Sequence, residues 1–235
     1  SGKSEVEEPK AISTYTFSPS GREILTIGNK YFERGKKKNK WEEKLLLDYF
    51  AGQKIEGKVK TSFPIHGFDT HAIAYNGEEI ITLGGDVYYR SSTTAKIWQK
   101  TTLVDLFKEY VVTNALPDAP DEQLPTIRLK THAFSPSGWE IVTYKDRLWQ
   151  RKEGEKNWET MTLEQYFLKD FAEQLKSLPV SYWDIHTFTP EGKELIIVGQ
   201  NLYWRRIGDK MWQVVTLEEY FGEDFPLEKE IEEKR

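Results

Sequence analysis

The sequence predicts a mainly β protein: a four-bladed β-propeller in which each blade has four antiparallel strands followed by a short helix. The first observation behind this prediction is that one sequence unit occurs four times, in residues 15–50, 71–107, 132–167 and 186–221. The second is that the central strand of every copy is apolar on both faces, which indicates a sheet covered on both sides. Four such sheets packed face to face around an axis form a four-bladed propeller.

The element that the repeat defines best is a tight β-hairpin. In each copy an arginine follows a glutamate after eleven residues, giving the pairs Glu23–Arg34, Glu79–Arg90, Glu140–Arg151 and Glu194–Arg205. If the two residues face each other, a two-residue loop remains at each tip, and three of the four loops contain the glycine that suits a primed turn. An aliphatic residue then faces an aromatic one, as Leu25 faces Phe32. We therefore interpret the Glu–Arg pair as a cross-strand ion pair, the alternative being a catalytic use of the glutamates.

A short strand precedes each hairpin and another follows it. The preceding strand ends in a turn that contains proline or glycine, as in residues 135–138. The following strand surrounds a tryptophan and leads to a helix that begins at Thr102, Thr162 or Thr216, in the pattern of a capping box. The first copy has Leu45 at this position, so its helix is the least well defined.

These features together resemble the hemopexin-like repeat family, whose members are four-bladed propellers with blades that end in a short helix. The resemblance is carried by the run Gly-x-Glu-Ile, the hairpin, an aromatic pair before arginine (residues 88–90) and a terminal helix that ends in Tyr-Phe. It covers residues 12–223 and implies the propeller fold. The Phe-Ser-Pro-Ser-Gly turns are also similar to those of WD-repeat propellers, although the Trp-Asp signature is missing.

Two departures from the family limit what the resemblance implies about ligands. The family often joins its first blade to its last by a disulfide, and this chain has no cysteine. The Asp-Ala that commonly opens the innermost strand in the family is replaced by His-Ala or His-Thr in three blades. Blade four must then be held to blade one by packing, and we expect residues 220–231 to dock against blade one, or against the underside of blades four and one together.

Composition and charge narrow the class of protein. The 235 residues include 38 acidic and 33 basic side chains, a net charge of −5, and 14% aromatic residues, which is ample for a packed core. No apolar run approaches the ~20 residues of a membrane helix. The lack of cysteine excludes zinc–thiolate sites and fits an intracellular compartment, with secretion left open. We expect a monomer with a flexible lead-in at 1–11, the propeller at 12–223 and a charged helical tail at 224–235.

Three of the four histidines occupy the same repeat position. His71, His132 and His186, with Tyr15 in the first blade, each lie eight residues before the repeated glutamate, on the strand nearest the axis. An approximate fourfold axis would bring them together, and three imidazoles and a phenol could bind a transition-metal ion in the central channel. Alternatively, each side chain points to a blade face and hydrogen-bonds a neighbour there. A carboxylate two residues earlier, such as Asp69, could orient the imidazole.

A second candidate site is the lysine-rich tip of blade one, with Lys36, Lys37, Lys38 and Lys40. Such a cluster could bind an anion or a nucleic-acid backbone. The alternative is a solvated hairpin end. We favour this alternative and expect no nucleic-acid partner, because the chain as a whole is acidic and only one blade carries these lysines.

The sequence contains no nucleophile elbow, phosphate-binding loop or metalloprotease motif. We therefore predict a non-enzymatic scaffold without a cofactor that binds a protein partner, because the repeated residues have packing explanations while tips and linkers differ between blades. The alternative hypothesis is a metal- or small-ligand-binding protein that uses the histidines near the central channel.

Overall fold

The protein is described here by a computed structural model that covers residues 11–36, 40–57, 62–116, 118–168 and 177–222. Several predictions concern residues outside these ranges. They are the lead-in before residue 11, Lys37 and Lys38 of the lysine tip, the continuation of the third helix past residue 168, and the tail at 224–235.

Four sheets form the four blades, and the four main strands of each lie in chain order from the axis outward. Blade one contains β1 (Thr14–Phe17), β2 (Glu23–Ile27), β3 (Lys30–Arg34), β4 (Glu42–Leu45) and α1 (Leu46–Tyr49). Blade two contains β6 (Thr70–Ile73), β7 (Glu79–Leu83), β8 (Asp86–Arg90), β9 (Ile97–Thr102) and α2 (Leu103–Phe107). Blade three contains β11 (Thr131–Phe134), β12 (Trp139–Tyr144), β13 (Arg147–Lys152), β14 (Asn157–Thr162) and α3 (Leu163–Leu168). Blade four contains β15 (Ile185–Phe188), β16 (Lys193–Val198), β17 (Asn201–Arg206), β18 (Gln213–Thr216) and α4 (Leu217–Phe221).

The predicted hairpin register is confirmed in all four blades. Glu23 lies opposite Arg34, Leu25 lies opposite Phe32, and the other three hairpins have the equivalent pairs. The first residue of each two-residue tip has a positive φ of 55–58°. Three of these residues are glycines, and the fourth is Lys145. A left-handed conformation costs a non-glycine residue roughly 1–2 kcal/mol, so the tip of blade three is strained where the other tips are not.

Two blades have a fifth strand, which corrects the prediction of four strands in every blade. After α1 the chain forms β5 (Lys54–Ile55), which pairs in parallel with the outer strand of blade two. After α2 it forms β10 (Val111–Val112), which pairs in parallel with the outer strand of blade three. Each of these two linkers therefore covers the outer edge of the next sheet, an edge that would otherwise expose unpaired backbone groups.

The hydrophobic core has four main parts, one at each blade interface, and a small fifth cluster formed by Ala72, Ala74 and Phe134. Each main part combines the facing sheets of two adjacent blades with the helix of one of them. The central strands are therefore covered on both faces, as their apolar sequences predict. The innermost strands β1, β6, β11 and β15 lie side by side in a ring, which closes where β15 meets β1.

The ring is closed by the described end of the C-terminal segment. Phe221 of α4 packs against Tyr15 and Trp41 of blade one, with ring centroids 5.4 and 6.3 Å apart, and Tyr220 borders the same core. These contacts confirm the predicted docking for residues 220 and 221. Within the described ranges, none of the helices has the length and apolar character needed to cross a membrane.

Helix starts follow the capping pattern read from the sequence. Thr216 and Glu219 form a complete capping box, and Thr162 and Gln165 exchange the same two hydrogen bonds. The shorter Asp105 side chain accompanies a simpler cap, in which only Thr102 accepts a backbone N–H. Helix α1 begins without a side-chain cap, as Leu45 predicts.

Candidate functional site

The three histidines and Tyr15 are buried at the blade interfaces, and each contacts the repeated glutamate of its own blade. The Nε2 atoms of His71, His132 and His186 lie 2.7, 2.9 and 2.9 Å from a glutamate Oε1. Tyr15 donates a hydrogen bond from its hydroxyl to Glu23. Each pair lies on one face of its sheet, because the two residues occupy diagonal positions on adjacent strands, where long side chains can reach each other.

The repeated arginine completes this contact from the third strand. In blade two the guanidinium of Arg90 donates to Glu79 from Nε at 2.7 Å and from Nη2 at 2.6 Å. The same guanidinium lies over the ring of Trp98, 4.5 Å from its centroid, which explains why a tryptophan recurs in each repeat. The other blades repeat the stacking at 4.5–4.9 Å. Cation–π contact of this kind stabilises a desolvated guanidinium.

The buried carboxylates are ionised. Burial alone would raise the pKa of the Glu79 carboxyl, but the hydrogen bond and charge of His71 and the charge of Arg90 outweigh it and lower that pKa. Glu140 and Glu194 have a lowered pKa for the same reasons. An ionised carboxylate only accepts hydrogen bonds. We therefore assign a proton to Nε2 of the histidine in all three blades.

A tyrosine from the preceding helix donates directly to the glutamate in two of these clusters, and Tyr220 hydrogen-bonds Tyr15 in a third. The hydroxyl of Tyr49 donates to Glu79 at 2.6 Å, and that of Tyr166 donates to Glu194 at 2.5 Å. Burial, and then the charge of the neighbouring glutamate, raise the pKa of both phenols, so they stay protonated donors. Each helix is thus tied to the next blade through a buried polar contact.

This arrangement bears directly on the hypothesis of a metal ion held by Tyr15, His71, His132 and His186. The channel between the innermost strands has a free volume of only ≈10 Å³, about the space of one water molecule. Each Nε2 is engaged by a glutamate, and each Nδ1 is buried without a hydrogen-bond partner. Among the described residues, no group of three or more His, Cys, Asp or Glu side chains is placed to hold a metal ion. The side chains do not fit a shared metal site, and metal binding stays a prediction that elemental analysis of the purified protein can test.

The lysine tip of blade one is divided between two environments. Lys36 lies across Gly21 and forms an ion pair with Glu191 of blade four, with Nζ 2.8 Å from Oε1. Lys40 is exposed, and Lys37 and Lys38 lie outside the described residues. The structure thus gives Lys36 a contact between blades, and anion binding by the whole tip stays a prediction.

The sequence analysis missed a cavity of ≈530 Å³ at one mouth of the channel, where the innermost strands begin. Its charged lining residues are Asp69, Arg128, Lys130, Lys145 and Asp184. Of the two roles that the sequence left open for these aspartates, orienting a histidine or a structural contact, they have the structural one. Each accepts the backbone N–H of a hairpin-tip glycine, at 2.6 Å for Asp69 and 2.8 Å for Asp184.

The basic side chains that line this cavity come from blade three, and two of them form ion pairs with aspartates of the neighbouring blades. Arg128 donates from Nε to Asp69 of blade two at 3.0 Å, and Lys130 pairs with Asp184 of blade four at 3.1 Å. A comparison of the four repeats could have indicated these ion pairs, because the position of Lys130 holds serine or aspartate in the other three blades.

Comparisons with known proteins identify the fold and nothing finer. No protein-family model and no curated protein matches the chain. Among solved structures, the hemopexin fold protein CP4 from cow pea superposes with a TM-score of 0.65 at 14% identity, covering 91% of this chain and 96% of that one. LS24, a seed albumin from Lathyrus sativus, gives 0.67 at 12% identity, with coverages of 95% and 98%. A plant lectin with two metal binding sites from Cicer arietinum gives 0.65 at 12% identity, with coverages of 90% and 95%.

These similarities confirm the hemopexin-like resemblance at the level of the fold. The likeness of the turns to WD-repeat turns is not confirmed by them and remains a likeness of sequence. At 12–14% identity the neighbours' ligands do not transfer to this chain, because function depends on site residues that a shared fold does not specify.

Proposed function

We propose that this protein is a non-enzymatic interaction module that binds a protein partner through the connection between blades two and three, residues 113–127. The observation that carries the proposal is the exposure of two apolar side chains on this connection. Ile127 is 77% exposed and Leu116 is 65% exposed, the two largest values among the large hydrophobic residues that the structure describes. Large exposed apolar patches mark protein contact sites, and these two side chains are the most exposed ones that could contribute to such a patch.

The connection is fixed to blade three at several points. The side-chain amide of Asn114 donates to the backbone oxygen of Thr160 and accepts its N–H, both at 2.7 Å. The indole of Trp149 donates to the backbone oxygen of Glu122 at 2.7 Å. Leu124 is buried in the core between blades two and three. A segment anchored in this way presents its side chains at little entropic cost on binding.

The charge around the two apolar side chains indicates the chemistry of the partner. Asp118 and Asp121 lie on the same connection and are exposed. A matching partner surface is apolar and bordered by lysine or arginine, because complementary charge steers encounter and fixes orientation.

The non-enzymatic part of the proposal is supported by the state of the repeated carboxylates. Glu79 and Glu194 are nearly inaccessible to solvent, and histidine, arginine and tyrosine donors occupy their oxygens. A general acid or base must lie within hydrogen-bond reach of a substrate proton, and these groups do not.

Site-specific photo-cross-linking tests the proposal. A photoreactive phenylalanine analogue replaces Ile127 in one protein and Leu47 in the control; Leu47 is 58% exposed on α1 of blade one. We expect one protein from the source cells to cross-link at position 127 and not at position 47. The double variant Leu116→Asp/Ile127→Asp should lose binding of that protein while its melting temperature is unchanged. Equal cross-linking at both positions, or binding that survives the double substitution, would show that the connection is not the contact surface.

A further inference from the structure

Four residues of blade three that differ from their counterparts in blade one line the cavity at the channel mouth. Arg128, Lys130, Tyr144 and Lys145 stand where blade one has Ala11, Ser13, Ile27 and Gly28. Relative to blade one, small or apolar residues are replaced by three cations and an aromatic ring. Tyr144 packs against the core between blades two and three, and Arg128 and Lys130 form the ion pairs with neighbouring blades described above. Within the described part of the chain, Lys145 forms neither kind of contact.

Lys145 is the most informative of the four. It is the only residue other than glycine with positive φ in the described ranges, at 55°. The equivalent residues of the other blades are Gly28, Gly84 and Gly199. A strained backbone that persists at the rim of a cavity is a feature of ligand sites, because the strain places a functional side chain.

The charges of the lining residues indicate whether the cavity accepts an anion or a cation. The carboxylate of Asp69 accepts hydrogen bonds from the N–H of Gly84 and from the guanidinium of Arg128. Asp184 is likewise engaged by a glycine N–H and by Lys130. Lys145 lies over the ring of Tyr144 at 5.5 Å, and within the described part of the chain it has no ion pair. The three cations and two carboxylates of the lining leave one positive charge, centred on Lys145.

Apart from Ser13, the rest of the lining is apolar or aromatic. Ile12, Phe68, Leu129 and Ile197 border the cavity although they are largely buried, and Tyr182, which is half exposed, contributes a second phenol ring. A volume of ≈530 Å³ lies in the range of small-molecule sites, roughly 300–1,000 Å³. The cavity therefore offers space for an apolar body next to one unneutralised cation.

We propose that this cavity binds a small organic monocarboxylate, with its carboxylate at Lys145 and its hydrocarbon or aromatic body against Leu129, Phe68 and Tyr182. Arg128 and Lys130 stand beside the carboxylate and share its charge with their aspartates. A monoanion neutralises the single excess charge of the lining, whereas a dianion exceeds it. This site is separate from the exposed connection proposed above as a protein contact, so either can fail alone.

Three probes of similar size test whether the site prefers an anion and where it lies. Phenylacetate, phenethylamine and 2-phenylethanol are titrated into the full chain and followed by amide and tyrosine chemical shifts in NMR spectra. We expect phenylacetate to bind at least tenfold more tightly than the other two, with the largest shifts at Tyr144, Lys145 and Gly199. Tighter binding of the amine would show that the aspartates govern the site and would overturn the proposal. So would the absence of saturable binding by all three probes.

The variant Lys145→Gly separates ligand binding from folding. Glycine removes both the cation and the backbone strain, so the melting temperature should rise while the affinity for phenylacetate falls about tenfold. Lys145→Gln, which keeps the strain, should show the same loss of affinity without the rise. Lys193→Gln is the matched control, because Lys193 also lies over an aromatic ring, 4.6 Å from that of Trp204, but does not line the cavity. Unchanged affinity in both Lys145 variants would refute the proposal.

Discussion

The interface between blades one and two and the interface between blades two and three are built on the same cluster but completed differently. At the first, Tyr49 donates to Glu79, and the amide oxygen of Gln53 accepts from both Arg90 and Trp98. At the second, Leu106 and Tyr110 occupy the equivalent positions. Tyr110 lies over the guanidinium of Arg151 at 4.3 Å, and the indole N–H of Trp158 is buried without a partner.

The difference extends to the charges around the two carboxylates. Glu140 is flanked by two further carboxyls, Glu78 and Glu153. Burial, and then the charge of Glu140, raise the pKa of both. The pair between blades two and three therefore has fewer donors and more like charge than its counterpart between blades one and two. The shared cluster of histidine, glutamate and arginine is thus sufficient for the interface, and the tyrosine is an addition that strengthens it.

The comparison predicts its largest effect for removal of the arginine. The side chains of Glu79 and Arg90 are 1% and 4% exposed, and Arg90→Ala should destabilise the protein by roughly 3–5 kcal/mol because it leaves a buried carboxylate without its charge partner. Arg151→Ala should cost less, because Arg151 is 13% exposed and its cluster lacks the tyrosine. Urea unfolding of the two variants measures which of them loses more free energy of unfolding. An equal or reversed order would contradict the ranking of the two interfaces.

A smaller effect is expected for the tyrosine hydroxyl alone. Tyr49→Phe removes a hydrogen bond to an ionised carboxylate and one from Arg90, at 2.6 and 3.0 Å, and should cost roughly 1.5–3 kcal/mol. Leu106→Phe introduces the same ring without a lost hydroxyl and serves as the control, with an expected change of less than about 1.5 kcal/mol. If the two variants unfold at the same urea concentration, the hydroxyl does not stabilise its interface.

Transplanting the first interface onto the second should increase the free energy of unfolding by about 1 kcal/mol, because two new hydrogen bonds of roughly this value each replace the cation–π contact of Tyr110 with Arg151. The double variant Leu106→Tyr/Tyr110→Gln supplies a hydroxyl for Glu140 and an amide oxygen for the indole of Trp158. Both changes are needed because the ring of Tyr110 fills space beside Arg151. Calorimetry should show a higher melting temperature for the double variant than for either single one; a lower one would mean that the interfaces are not interchangeable.

The smallest effect concerns pH. Because the pKa of Glu78 is raised in the folded protein, its carboxyl binds a proton at a higher pH there than in the unfolded chain. Ionised Glu78 therefore lowers the stability of the protein at pH 7, and this destabilisation disappears as the pH falls. Glu79 behaves oppositely: its lowered pKa adds stability above about pH 4.5 that is lost below it. Glu78→Gln should therefore raise the melting temperature slightly at pH 7 and not at pH 4.5, whereas Glu159→Gln, at an exposed position on β14, should change neither. A rise confined to the lower pH would reverse the assigned sign.

The parts of this structure that the sequence predicts are those that depend on fixed local spacing. The interval from Glu79 to Arg90 determines the hairpin, and the threonine of each capping box marks a helix start. The strands β5 and β10 were missed because two residues show no periodicity and their partners lie more than forty residues away. Their pairing depends on the tertiary structure, and no local sequence pattern indicates it.

The candidate site divides in the same way. The eight-residue interval between His132 and Glu140 places both on one face of adjacent strands, and the hydrogen bond between them agrees with the predicted alternative to a metal site. The mouth cavity could not be derived, because it depends on blades meeting in space: Arg128 reaches Asp69, 59 residues earlier in the chain. Only the unusual residues of blade three were available as a signal.

The path of the chain through β10 and α4 has a consequence for dividing the protein into fragments. A cut within residues 113–127 would separate blades one and two from blades three and four, yet β10 would remain in the first fragment while pairing with the sheet of blade three. The second fragment would keep α4, whose Phe221 packs on blade one. Each fragment thus carries an element that completes the other, as in the split proteins used to report association. We expect a chain nicked in this connection by limited proteolysis to elute as one particle in size-exclusion chromatography. Two separate peaks would show that the contacts of β10 and α4 with the other fragment are too weak to hold the two fragments together.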